Sequence, residues 1–526
     1  MLSKIHKLLI ISSLSTPLLY GADLTVLNSN DSGKGSLRAI LEIANSNSEP
    51  DNITFAKALE KETIVLTSSR LTISSEISLT GFPETLTISG NGERQIIEVT
   101  AEAVASISGL KFIDGISNRG AGIQTAGTLT VNDCVFRNHF SSVGSGIENS
   151  GLISVNNCRF EDNSATDDGA GFNNCFPGTG IIDRCSFSGN TIVNNGAALS
   201  NFSEITVTNS IFFDNSAINP DDDGSSGLPT MNGGAIFNGR ILTLVNCTFF
   251  DNVSGESGGA IYNRGQSLTL INCTLSGNTS ARGGAISSRS GVQLIQTTIA
   301  NNIATISGGA LFFQDFGNFQ IANSIVANNS DPQILLSDNL GPNSFFLFGN
   351  GRNIFSDDSI TNAPNFNNAF SFLTNTDPLL APLKDNGGPV PTLALLPDSP
   401  AIDAGFNSEA VDSSFVTLEQ DARGIPRILS TLPESSEETV DIGSFESTPT
   451  VALKIGISTS DEPVLMASGL PGTSYLLERS ETLEFDPSSP VETFSLDQKG
   501  VFTFLDNPIA ESNSNFYRLR IISSDF

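Results

Sequence analysis

The sequence predicts an all-β chain wound into a parallel β-helix, and three observations predict it. A short phrase, GGAI, opens at Gly233, Gly258 and Gly283, with GGAL at Gly308, always 25 residues apart. Apolar residues between these phrases alternate with polar ones, as at Leu268 and Leu270 and again at Cys273 and Leu275. That period of two belongs to strands with one buried face, and no 3.6 period accompanies it. Finally, Gly and Asn are frequent, Trp is absent and charged residues make up only 16% of the chain, a composition of short strands and tight turns.

From the N-terminus, MLSKIHKLLIISSLSTPLLYGAD sets Lys4 and Lys7 before an apolar run from Leu8 to Leu19. This reads as a secretory signal over residues 1–22, cleaved near Ala22, and it places the protein outside the cell or on its surface. No later run is long enough to span a bilayer as a helix, so no transmembrane segment is expected. The formal charge is −30, which disfavours nucleic acid and anionic lipid as partners. The segment SLRAILEIANSN then places Leu37, Ile40, Leu41 and Ala44 at helical spacing, a short amphipathic cap for the open end of a solenoid.

The repeats follow. Looser forms of the phrase start at Gly120, Gly144, Gly169 and Gly196. The fourth residues, Ile123, Ile147, Phe172, Leu199, Ile236, Ile261, Ile286 and Leu311, are spaced 24, 25, 27, 37, 25, 25 and 25. A second phrase recurs with them, as in LTVNDCVFRN, ISVNNCRFEDN and LTLVNCTFFDN. One coil cannot bury its own apolar face, but stacked coils can. The stack aligns an inward column Phe136, Phe160, Phe187, Phe212 and Phe249 that continues into Leu275, Ile299 and Val326. A second inward column runs Cys134, Cys158, Cys185, Ser210, Cys247, Cys273, Thr297 and Ser324, so five of the six cysteines read as buried free thiols; Cys175 lies outside it. Asn163, Asn190, Asn215, Asn252, Asn278, Asn302 and Asn329 form a turn ladder, with Asn supplying both a left-handed backbone and an amide for the copy above. About 12 coils at ~4.8 Å each make a rod roughly 58 Å long.

Two resemblances rest on quoted residues. The pairing of GGA[ILV] with FxxN, as at Phe160–Asn163 and Phe249–Asn252, resembles the repeats of bacterial polymorphic outer-membrane proteins. NDSGKGSLRAILEIANSNSEPDNITFA near the start, with DPLLAPLKDNGGPVPTLALLPDSPAIDAG, DARGIPR and VDIGSFE near the end, resembles secreted right-handed β-helix proteins with a choice-of-anchor Q domain. That resemblance implies a pectin-lyase-like solenoid over residues 23–376, a closing segment over 377–447, and a secreted or surface-attached life. The chain departs from the family in carrying Leu393 where a histidine is usual, so no role of that histidine is carried over. Asp403, Asp421, Arg423 and Asp441 fall on motif positions and read as fold-locking salt bridges. Residues 448–526 then show short strands at sandwich spacing, a small β-sandwich module too short for an autotransporter barrel.

Function is read as binding rather than catalysis. β-Helices host polysaccharide lyases and hydrolases, but a fold does not fix a function. Hydrolases of this fold resemble one another in paired Asp motifs with a Gly-His-Gly, whereas this chain has His6 in the leader and His139 in the ladder turn. A lyase needs a Lys or Arg base beside a cation, and Arg264 and Arg289, one coil apart with Arg240 nearby, are the residues for that alternative. Phe213 with Phe250, and Phe237 with Tyr262, are expected to stack outward as a modest aromatic patch. Phe237, Tyr262, Arg264 and Arg289 are therefore the candidate binding residues. The 37-residue spacing adds NPDDDGSSGLPT to one turn, and stacking gathers Asp167, Asp168, Asp221, Asp222, Asp223 and Glu256 along one edge. The cation suited to those hard oxygen ligands is Ca²⁺. The expected protein is a monomeric, adhesin-like or matrix component on the cell surface, and its partner an extracellular polysaccharide or surface protein.

Overall fold

A computed structural model describes residues 21–219, 231–315, 317–337, 345–362, 371–412, 414–427 and 439–447, with six further strands between residues 452 and 523. Residues 1–20, most of the segment expected as a secretory signal over 1–22, lie outside the described residues. Four parallel sheets of 13, 13, 8 and 11 described strands wind together as about 12 turns of a solenoid. We call them sheets 1 to 4 in the order the chain visits them. One coil runs Ile241–Val245 in sheet 1, Thr248–Phe250 in sheet 2, Val253–Ser254 in sheet 3 and Ile261–Asn263 in sheet 4. The next coil falls in register above it, Leu242 on Leu268 and Phe249 on Leu275. Leu199 pairs with Ile236, so the register of sheet 4 continues across the long spacing.

The interior is built from stacked identical side chains. Phe112 begins a column that continues through Phe136, Phe160, Phe187, Phe212 and Phe249. Its ring centroids lie 4.6–5.1 Å apart with interplanar angles of 2–16°. The spacing is imposed by the strands, and offset-stacked rings accept it at no packing cost.

Corners divide their work between two residues. A left-handed residue turns the chain, as at Asn246 (φ 53°) and Asp251 (φ 55°), and the next residue points inward. After Asn246 comes Cys247; after Asp251 comes Asn252. The ladder asparagines are therefore not themselves left-handed, contrary to the sequence expectation, because the turn has already been made one residue earlier. Their role is hydrogen bonding. Asn163 Nδ2 donates to Asn190 Oδ1 at 2.9 Å and its backbone N–H donates to the same oxygen at 3.2 Å. The pattern repeats through Asn215, Asn252, Asn278, Asn302 and Asn329. The thiol and hydroxyl column works similarly: the Cys158 N–H donates to Cys185 Sγ at 3.4 Å and the Cys185 N–H to Ser210 Oγ at 3.0 Å. All six cysteines are free thiols, five of them buried. A third ladder, Asn149, Asn174, Asn201, Asn238 and Asn263, lines the corner from sheet 4 to sheet 1.

Both ends and one flank are covered. The helix Leu37–Ala44 is capped by Ser36, whose hydroxyl accepts the Ala39 N–H, and it buries Leu37, Ile40, Leu41 and Ala44 as expected. Asp31 ties the cap loop to the first coils, bonding Arg38 at 2.6 Å and the Ser68 N–H at 2.8 Å. At the other end Ile360, on the turn Ser359–Asn362, is fully buried and joins the main core. The closing segment lies along the outer face of sheet 2, where Ala401 and Ile442 pack on Ile325, Ala327 and Ile354. Ser444 meets Thr274 at 2.8 Å and Thr298 at 3.0 Å. Asp421 pairs with Arg423 at 2.6 Å, as the motif implied. Asp441 instead accepts the Asp403 and Ser447 N–H groups, so that pair is a backbone clasp rather than a salt bridge. The C-terminal strands form two three-stranded antiparallel sheets.

Two predictions test this packing. Phe249→Ala should cost ~3–5 kcal/mol and Phe249→Asp should abolish folding, while Phe250→Ala, on the outer face, should cost less than half as much. Equal melting shifts for the two alanine variants would reverse the assignment of faces. His139 replaces asparagine at one rung, accepts the Gly115 N–H at 2.9 Å, and leaves Nε2 without a partner. Burial lowers its pKa from 6.5 to about 3, so between those values the folded chain binds fewer protons than the unfolded one and stability falls as pH falls. His139→Asn should therefore stabilise the protein by ~2 kcal/mol more at pH 5 than at pH 8. An equal gain at both pH values, read by denaturant titration, would contradict this account.

Candidate binding groove on the outer face of sheet 4

Residues that alternate with the inward Ile and the ladder Asn of sheet 4 face outward. From the bottom they read Glu98, Gln124, Glu148, Asn173, Ser200, Phe237, Tyr262, Ser287, Phe312 and Leu335. The lower half is polar and the upper half largely aromatic. The column is walled on one side by the glycine corner. Gly258, with φ 70°, could not carry a side chain, since a Cβ would meet the Ile261 carbonyl oxygen at 2.1 Å. Side chains from this corner and from the one that follows the strands border the column, which is the floor of a groove.

The groove has a volume of about 340 Å³ and is lined by Tyr262, Arg282, Arg289, Phe312, Gln314 and Asp315, with Asn232, Glu256 and Ser257 on its rim. Arg289 bonds Asp315 one coil above at 2.5 Å and also bonds the Tyr262 hydroxyl. Gln314 crosses the floor, donating to Ser287 Oγ at 2.9 Å and Ser257 Oγ at 3.3 Å. Ser287 leaves a gap between Tyr262 and Phe312, two coil spacings apart, about 10 Å. Arg282 has no ion-pair partner among the described residues. The hydrogen bond to Asp315 raises the Arg289 pKa, which fixes the guanidinium as a cation and opposes use of Arg289 as a catalytic base.

The sequence candidates separate here. Tyr262, Arg289 and Glu256, expected in two different sites, share this one groove. Phe237 lies one coil below, against Phe202 at 5.4 Å. Phe237 and Tyr262 are each only 6% exposed and tilted by 33° at 5.9 Å, so they are not the open stacked platform expected. The walls cover them. The more open pair is Phe213 with Phe250, each half-buried and stacked at 5.1 Å and 3°. Arg264 is exposed on the following corner and acts on Tyr262 only through its charge. Asp167 and Glu256 occupy one column three coils apart, roughly 14 Å, and cannot share a single ion. Asp168 is raised to about 6 by burial and then by Asp167. Asp221, Asp222 and Asp223 lie outside the described residues. Among the described residues no three His, Cys, Asp or Glu side chains form a metal-holding group.

Residues 87–295 match the family model of the right-handed β-helix region. The solenoid has the fold of a right-handed parallel β-helix. Comparison with curated proteins returns no match. No described helix of the β-helix or its flanks is long and apolar enough to cross a membrane.

Below the groove the same face holds a cluster that the sequence had not pointed to. Arg119 bonds Glu148 at 2.5 Å and Cys175 Sγ at 3.2 Å, and Asn173 donates to that sulfur at 3.0 Å. Cys175 is the cysteine outside the inward column, and its pairing explains the exception. Burial, then the charge of Glu148, pushes its pKa up to about 11. Native Cys175 should therefore alkylate slowly at pH 8, with a rate rising toward pH 11. Glu148→Gln should move that profile to lower pH. A profile left unmoved by the substitution would place the cause elsewhere.

Proposed function

We propose that this β-helix is an exported surface or matrix protein that binds polysaccharide in the sheet 4 groove, held outside the cell by the choice-of-anchor Q-like frame. The observation that carries the reading is the groove's lining. Tyr262 and Phe312 form a largely covered floor on either side of Ser287, so a ligand meets chiefly the polar wall above them. Gln314, Asp315 and Glu256 supply acceptors and donors for hydroxyls, and Arg282 supplies a cation without a carboxylate partner of its own. An open groove crossing successive coils suits a chain-like ligand better than a small enclosed one. The acidic leader-less chain, with its polar repeat faces, is compatible with life in an aqueous exterior.

The purified protein without its leader should bind extracellular polysaccharides on a glycan array. Arg282→Ala should weaken that binding about tenfold, ~1.4 kcal/mol, with the melting temperature little changed, and Tyr262→Ala should weaken it while also lowering the melting temperature, because its ring is buried. Binding unaffected by both, or steady release of reducing ends from the polysaccharide, would replace this reading with another site or with catalysis.

A further inference from the structure

A second groove lies where the closing segment crosses the outer face of sheet 1. Its floor is one outward column of that sheet, in which Thr269, Gln293, Gln320 and Phe348 stack in register. Its wall is a short hairpin closed by the bridge between Val411 and Thr417. Asp412 shapes the tip, its Oδ1 accepting the Ser414 N–H at 2.7 Å and the Val416 N–H at 2.9 Å. The space between floor and wall is about 240 Å³ and is lined by Gln293, Gln320, Phe348, Glu409, Asp412 and Phe415.

Phe415 is the unusual residue. It sits at the tip with φ 63°, a left-handed conformation that is strained for a bulky side chain, and its ring is 87% exposed. Neither feature helps the fold: Gly or Asn would relieve the strain, and a polar side chain would suit water better. Phe348, on the floor, is itself 45% exposed, so two rings stand open on one groove. Between them Gln293 and Gln320 hold two amides one coil spacing apart, and each amide both donates and accepts. The lining described carries two carboxylates and no lysine or arginine. A uronate or sulfated sugar would meet like charge there, whereas a neutral sugar would find ring faces for its C–H surface and amides and carboxylates for its hydroxyls.

We infer that this groove is a second carbohydrate site, selective for an uncharged glycan. The inference rests on the proposed reading of the protein as a polysaccharide binder, but uses different residues, and its lining carries no arginine, unlike that of the sheet 4 groove. The test measures full-length leader-less protein against neutral oligosaccharides of glucose, mannose, galactose and N-acetylglucosamine, and against oligogalacturonate. Phe415→Asn and Gln320→Ala should weaken neutral-glycan binding tenfold or more. Phe415→Asn should also keep or raise the melting temperature, a result that a purely structural role for the ring would not give. Tyr262→Ala should leave this binding in place. Neutral-glycan binding unchanged in both variants overturns the site while leaving the protein a glycan binder. Binding of oligogalacturonate alone overturns its selectivity, and binding of no glycan at all overturns both readings. Loss of a dimer in Phe415→Asn, with glycan binding intact, would assign the ring to a second copy of the chain instead.

Discussion

Every coil must turn its backbone at four corners without stranding an N–H in a dry interior, and the rest of the molecule depends on how that is done. An unpaired buried N–H costs ~1–3 kcal/mol, while a made bond contributes only about 1 kcal/mol net. Over a dozen coils the penalty for getting this wrong would exceed the stability of any ordinary domain. The chain meets it with a left-handed residue, Asn, Asp or Gly at most coils and Arg184 or Gln296 at two, followed by an inward side chain that accepts the N–H of the coil below. Asn252 does this for Asn215, and Ser210 for Cys185. Because each acceptor belongs to a neighbouring coil, the ladders fix the register of the whole stack. A slip of one residue would unpair all of them at once.

Fixed register explains the aromatic interior and also the freedom of the exterior. Phe136 lies on Phe160 because the ladders on either side admit no other alignment, and ring stacking then adds to a geometry already chosen. The outer columns answer to no ladder. Along sheet 4 the inward Ile and Asn positions barely change, while the residue between them passes from Glu148 through Ser200 to Tyr262 and Phe312. The scaffold thus tolerates almost any outward side chain, and the proposed binding residues collect on those columns.

How legible this was in the sequence follows from the range of the forces involved. The Phe column, the thiol column and one Asn ladder could be read directly, because stacking turns a structural contact into a repeat of about 25 residues. The ladder from Asn149 to Asn263 carried the same signal, an Asn two residues after each apolar fourth position, and was open to the same reading. The left-handed residue could not be separated from the ladder Asn by composition, since Asp162–Asn163 and Asn301–Asn302 pair the same residue types. Burial of Phe237 and Tyr262 was hidden for a different reason. Alternation says which side of a strand a residue faces, but not whether a neighbouring corner curls over it. Arg119, Glu148 and Cys175 meet across three coils from different corners, and only the fold brings them together.

The two grooves share one cause. A stacked sheet presents flat outer faces, and a flat face grips a ligand weakly because it surrounds little of it. Concavity arises only where something crosses the stack. On sheet 4 both bordering corners do so, Arg282 coming from the glycine corner and Arg289 and Gln314 from the corner toward sheet 1. On sheet 1 it is the closing segment, held across the coils by buried contacts such as Arg427 to Asn272 at 2.8 Å and to Glu446 at 3.2 Å. That segment has no repeat to maintain, so its residues are free to differ from the coils they cover, and it can set Glu409, Asp412 and Phe415 against the stacked Gln293 and Gln320. A lock that merely stabilised the rod would need its buried residues, Asp421, Arg423, Arg427 and Glu446. It would not need an exposed phenylalanine on a strained hairpin, and that surplus is what the proposed glycan site accounts for.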